Sequence, residues 1–220
     1  CGEKIWPIAY SAPSQFAARA VAGMWQQLGG QLTGQVRDGP VPANLQPAFS
    51  IDSVTLAEVI RDINKFSNNV MAQQLFLTLS QQQRGVGSFD ASREVLQRWW
   101  RERVGGEVPV FDNGSGLSRE ERISAQALAR LLQTAWSSAT MPELMSSLPI
   151  TGLDGTLKRS KAQGVAHLKT GSLRDVAGVA GFVDGANGKR WVLVAVLNHP
   201  NANAARPALD ALIDWVAQQP

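Results

Sequence analysis

The chain has 220 residues but only one cysteine, Cys1, and two histidines, His167 and His199. A lone thiol closes no internal disulfide and builds no multi-cysteine metal site; it can still pair with a cysteine outside the chain, so it fixes no redox compartment. Neither His-Glu-x-x-His nor any clustered ligand spacing occurs, which leaves a metal centre without support. There is no Gly-x-Ser-x-Gly elbow, and two isolated histidines do not make a Ser-His-Asp relay. Charge of one sign is scarce too. The net charge is +3 with 18% charged residues, and the scattered lysines and arginines form no stripe for a nucleic acid. The longest apolar stretch, Trp191 to Leu197, falls far short of the roughly 20 residues that cross a bilayer, and no basic region with a hydrophobic signal segment opens the chain. The last absence is chemical: no serine is followed three positions later by a lysine, the helical spacing that points a hydroxyl and an amine the same way.

What is present suits a packed core, since 44% of the residues are hydrophobic, with no internal repeat and no low-complexity segment. The chain runs from Cys1 straight into a strand-like segment, Ile5 to Tyr10, from which a longer precursor with an upstream segment is expected. Phe16, Ala20, Val21 and Met24 recur at helical spacing after Pro13, up to Gly29-Gly30, and a strand is expected over Gln31 to Arg37. Beyond the proline-rich loop from Pro40 to Pro47, Thr55 is placed to cap a helix with Leu56, Val59, Ile60 and Ile63 on one face, which delivers the chain to Ser67 at a helix-to-helix turn. Further helices are expected over Val70 to Leu79, over Ser88 to Val104 with Phe89, Val95, Leu96, Trp99 and Trp100 inward, and over Ser124 to Trp136; Val108 to Phe111 alternates like a short strand. The last third changes period: Ala166 to Ser172, Val176 to Val183 and Arg190 to Asn198 read as an antiparallel meander, covered by a closing helix from Ala204 to Ala217. The seven tryptophans fall mostly on helical apolar faces, where packing explains them better than a carbohydrate platform.

Two short strings carry chemistry. Lys169-Thr170-Gly171-Ser172 falls on the first of the three strands, where a lysine can aim its ammonium into a cleft and glycine lets a substrate backbone come close. Alone, the string is equally an exposed strand end. Ser67-Asn68-Asn69 sits in the helix connection, where Ser67 and Asn69 can face one opening while Asn68 faces elsewhere; alone, these residues read as caps for the following helix. Together, in this order and these settings, they read as two walls of one serine-acylation cleft.

With these strings, and with Asn64-Lys65-Phe66, Asp112-Asn113-Gly114-Ser115-Gly116-Leu117-Ser118-Arg119, Leu153-Asp154-Gly155-Thr156-Leu157 and Ala180-Gly181-Phe182-Val183, the chain resembles the D-alanyl-D-alanine carboxypeptidases/endopeptidases, the low-molecular-mass penicillin-binding proteins that carry inserted domains. The resemblance runs over nearly the whole chain but only the carboxy-terminal half of a family member. It implies an α+β fold of the β-lactamase/transpeptidase type, with an antiparallel sheet flanked by helices, a helical block over about 53–150, and the sheet with its closing helix over 151–220. That domain would be incomplete because its amino-terminal part is missing.

By the same resemblance, Ser67 passes a proton toward the leaving amine, Asn69 holds the substrate amide and Lys169 supplies positive potential. Thr170 and Ser172 bind the terminal carboxylate, Gly171 lies between them, and the Ser172 N–H is one of two oxyanion donors. Leu117 and Arg119 border the cleft, although the same stretch also reads as a glycine-rich turn with a solvated arginine, and Asp154 pins a loop. The family often has aspartate where Asn68 stands, on a side chain pointing away. The implied partners are peptidoglycan stem peptides, β-lactams and the missing amino-terminal segment, in the periplasm, with no cofactor, no metal, no nucleic acid and no transmembrane segment. Without the serine–lysine pair this stretch is expected to be inactive by itself. A non-catalytic peptidoglycan-binding or scaffold protein on the same fold is one rival reading. A class A β-lactamase relative is another, although beyond Glu120, Glu121 and Glu143 the helical block offers no obvious glutamate in a loop suited to deacylation.

Overall fold

Thr55, Asn68, Ser88 and Ser124 each begin a helix by accepting a hydrogen bond from the backbone N–H three residues on. Each thereby satisfies one of the donors that a helix start leaves without an intrahelical partner. At Thr55 the bond is reciprocal, with Glu58 reaching back to the Thr55 N–H. These caps are seen in a computed structural model that describes residues 12–47 and 50–220. The chain divides into two units, Cys1–Asp52 and Ser53–Pro220.

In the first unit a short 3-10 turn, Pro13–Gln15, leads into α1, Phe16–Gln27, none of whose described residues is buried. The strand expected over Gln31 to Arg37 is not formed. The segment carries no ladder and is exposed apart from half-buried Val36, and alternation alone makes no strand without a neighbour to take its backbone hydrogen bonds. The strand-like segment Ile5 to Tyr10 lies outside the described residues.

The second unit contains α2 (Leu56–Phe66), α3 (Asn69–Arg84), α4 (Phe89–Arg103), α5 (Ala125–Trp136) and α6 (Met141–Ser147), then β1 (Ala166–Leu173), β2 (Val176–Asp184), β3 (Arg190–Asn198) and α7 (Arg206–Ala217). The architecture is α+β. Val108 to Phe111 amounts to a single bridge, Val110 to Arg122. In α4 the inward side is narrower than the apolar count suggests: Val95 and Trp100 are buried, while Phe89 and Trp99 are exposed. Buried Ser80 and Ser92 tie α3 to α4, with Ser92 Oγ 2.6 Å from the Phe76 carbonyl oxygen and 2.9 Å from Ser80 Oγ.

Among the described residues the sheet has the order β1-β2-β3, antiparallel throughout. One face packs Leu168, Val179 and Leu193 against Leu209, Ile213 and Val216 of α7; the other packs Phe182 against Leu132, Met145 and Leu148. Leu168 of β1 stands opposite Gly181 of β2. A side chain at Gly181 would run into the His167 carbonyl, so the close pairing of β1 depends on glycine there.

Candidate active site

The turn between α2 and α3 is built by two residues. Ser67 ends α2 in the left-handed region, with φ 54° and ψ 48°, a conformation that costs a non-glycine residue free energy and marks a held position. Asn68 then caps α3 by accepting from the Met71 N–H at 3.1 Å. The capping role the sequence offered to Ser67 and Asn69 therefore belongs to Asn68, and its neighbours are released for other contacts.

Across from this turn, β1 presents an edge with no strand beside it among the described residues. Near its start that edge is taken by the preceding loop, with the Leu168 N–H donating to the Pro149 carbonyl at 2.9 Å and the Thr151 N–H to the Ala166 carbonyl at 3.0 Å. Backbone direction alternates along a strand, so the N–H and C=O groups of Thr170 and Ser172 leave the same edge, beyond the loop. Lys169 projects from the opposite side-chain face. Its Nζ donates to Ser67 Oγ at 2.9 Å and to the Thr170 carbonyl at 2.7 Å. Burial pushes the Lys169 ammonium below its usual value, because a desolvated charge is disfavoured.

Ser67, Thr170, Gly171 and Ser172 line one cavity of about 440 Å³. The Thr170 hydroxyl lies 2.7 Å from the Thr156 hydroxyl, and Arg206, at the start of α7, donates to Ser172 Oγ at 3.3 Å. With the Lys169 amine donating to it, Ser67 Oγ keeps its own proton free to point into the cavity.

Asn69 is committed differently: its amide donates to the Ser115 carbonyl at 2.7 Å. That contact holds the Asn113 to Leu117 loop, which is wired internally by Ser115 N–H and Oγ to Asn113 Oδ1 at 3.0 and 2.6 Å. Leu117 and Arg119 are exposed and do not line the cavity. Three residues on or behind the cavity wall were not singled out from sequence. Arg206 had no local signal at all, and Thr156 stood only inside a quoted string. Lys65 was quoted only as part of a string, yet it is just 8% exposed, and a buried charge needs a partner. Among the described residues no group of three or more metal-ligating side chains occurs, and no helix is long and apolar enough to cross a membrane.

With the geometry in hand, the comparisons with known proteins agree with one another. A family profile described as the D-Ala-D-Ala carboxypeptidase 3 (S13) family matches residues 2–219. The chain is 29% identical over 217 residues to a D-alanyl-D-alanine carboxypeptidase of Actinomadura sp. (strain R39), a match covering 91% of this chain and 39% of the relative. It is 27% identical over 194 residues to the D-alanyl-D-alanine carboxypeptidase DacB of Haemophilus influenzae, covering 83% of this chain and 40% of that one. The crystal structure of penicillin binding protein 4 (dacB) from Haemophilus influenzae, complexed with a novel β-lactam, superposes with a TM-score of 0.76 at 22% identity, over 94% of this chain and 52% of the other. The fold is therefore of the β-lactamase/transpeptidase type, and the chain spans about two fifths of the length of the two curated relatives.

Proposed function

Because the chain belongs to the D-Ala-D-Ala carboxypeptidase 3 (S13) family, we propose that it forms two walls of a serine DD-peptidase cleft that cleaves D-Ala-D-Ala ends or cross-bridges of periplasmic peptidoglycan through an acyl-enzyme. The observation that carries the reading is the 2.9 Å contact between Lys169 Nζ and Ser67 Oγ, which joins residues 102 positions apart beside the Thr170 and Ser172 hydroxyls. In this reading Ser67 relays a proton to the leaving amine, and the Lys169 charge orients it and attracts the substrate carboxylate. The Thr170 and Ser172 hydroxyls bind that carboxylate. The Ser172 N–H, leaving the open edge of β1, supplies one donor to the developing oxyanion. Asn69 acts by holding the Asn113 to Leu117 loop through the Ser115 carbonyl, and its carbonyl oxygen is the group available to a substrate amide.

No serine of the chain has a lysine three positions later, so the nucleophile and its base belong to sequence outside these residues, and the 220 residues alone do not acylate. The proposal includes covalent inhibition by β-lactams, which mimic the scissile amide and leave a stable acyl group on that serine. The test is to incubate the full-length parent with a labelled penicillin and map the adduct. Label on a serine upstream of Cys1 supports the peptidase; a parent that takes no label while binding peptidoglycan is a scaffold on the same fold. Rapid turnover of the penicillin with no lasting adduct indicates a β-lactamase.

A further inference from the structure

The deepest charged contact beside the cleft involves no residue given a part in the proposed chemistry. Lys65, in the last turn of α2 and two residues before Ser67, turns its ammonium inward. Nζ donates to the Leu148 carbonyl at 2.7 Å and to Asp154 Oδ2 at 2.5 Å. The other Asp154 oxygen accepts from the Ile150 N–H at 2.8 Å, and Asn64, next to Lys65, donates to Ser147 Oγ at 2.8 Å. The end of α2 thus grips the loop from Ser147 to Asp154 at several points. That same loop is the one paired to the edge of β1 through Pro149 and Thr151.

The grip continues past Asp154. Gly155 has φ +53°, and a Cβ there would stand 2.6 Å from the Lys65 carbonyl oxygen, so the chain crosses the end of α2 at a distance only glycine allows. The next residue, Thr156, places its hydroxyl 2.7 Å from that of Thr170. A hydroxyl has one proton to give. If Thr156 is the donor in this pair, the Thr170 proton is left to point into the cavity, where an incoming carboxylate accepts it.

From this chain of contacts we propose that the Lys65–Asp154 pair and Thr156 are positioning residues: they set where the Thr170 hydroxyl points and so give the cleft its selectivity for a peptide ending in a free carboxylate. The inference rests on the carboxylate-binding reading of Thr170 given above. The pair links the wall bearing Ser67 to the wall bearing Thr170, so it fixes their separation as well as the hydroxyl's orientation. Only the Lys65 end of the pair is buried, so D154N strands a buried ammonium and can fail simply by unfolding. T156V removes one hydroxyl at an exposed site while keeping the side-chain shape, and it tests the same path without that risk.

The test measures kcat and KM of the full-length parent on a D-Ala-D-Ala peptide with a free carboxylate and on its C-terminal amide. T156V is expected to raise KM for the free acid about tenfold with kcat nearly unchanged and to leave the amide unaffected, while T156S keeps the wild-type preference. A D154N enzyme that keeps the wild-type unfolding midpoint is expected to shift KM the same way, and combining it with T156V adds little, since both act through one hydroxyl. If T156V keeps wild-type discrimination, or if both substrates suffer equally, the positioning role is wrong even though the enzyme works. If the wild-type parent neither takes up penicillin nor cleaves the peptide, the functional reading itself fails and the inference goes with it.

Discussion

Lys169 shows how one side chain serves the fold and the site in opposite directions. Burial holds its ammonium below the usual 10.5, so between that lowered value and 10.5 the native chain binds fewer protons than the unfolded one. Stability therefore rises with pH across this window and is lost as pH falls through the folded value. Comparing urea midpoints of the chain and K169M as pH is raised isolates the effect, because every other group titrates in both. Wild type is expected to gain on the variant as pH climbs toward 10.5; a pH-independent difference between them contradicts the buried, charged reading. The residues of this contact were legible in sequence because each sits in a recognisable string. Lys65 and Thr156 stand in strings quoted for the resemblance but carry no local sign of their partners, 89 and 14 positions away, and Arg206, 34 positions from Ser172, stands in no string. Nothing local marks a lysine whose charge is satisfied from across the fold.

Among the elements, the junction of α2 and α3 shows what a cap contributes. Asn68 satisfies a donor of α3 and, by taking that task, leaves Ser67 and Asn69 to face other partners. N68A is expected to cost about 1 kcal/mol of unfolding free energy, read as a lower denaturation midpoint with an unchanged slope, while N68D stays close to wild type. A full loss of the α3 start in N68D would show that the carboxamide does more than cap. The three strands were legible nearly to the residue, since period-two alternation bounded by Asp175 and by the turn after Asp184 leaves little choice of register. Gln31 to Arg37 shows the limit of that signal. The segment alternates, but a strand is a property of a pair, and no described neighbour completes it. Likewise, Phe89 and Trp99 fit the helical stripe of α4 yet stay exposed, because periodicity gives a face and not how much of that face is covered.

At the scale of the whole molecule, the 53–220 unit leaves apolar surface around its cleft and along one side of its sheet. Phe66 and Val70, flanking the Ser67 turn, are each 70% exposed, and Leu153 is also open. Among the described residues the ladder ends at β3, whose sequence Arg190 to Asn198 is apolar almost throughout. Such an edge is a template for pairing with another strand, and clustered exposed apolar groups attract a partner or a dye. The isolated 220-residue chain is accordingly expected to bind a hydrophobic dye and to self-associate as its concentration rises. V196K, which puts a charge on the exposed face of the edge strand, is expected to reduce association measured by light scattering without lowering the unfolding midpoint. The full-length parent is expected to give the weaker dye signal per molecule, since on the proposed function a nucleophile-bearing segment approaches Ser67 and Lys169 and covers Phe66 and Val70 beside them. A monodisperse chain with no dye response would mean that the apolar rim needs no cover. The idea that the cleft is completed by further sequence would then have to rest on the missing serine–lysine pair alone.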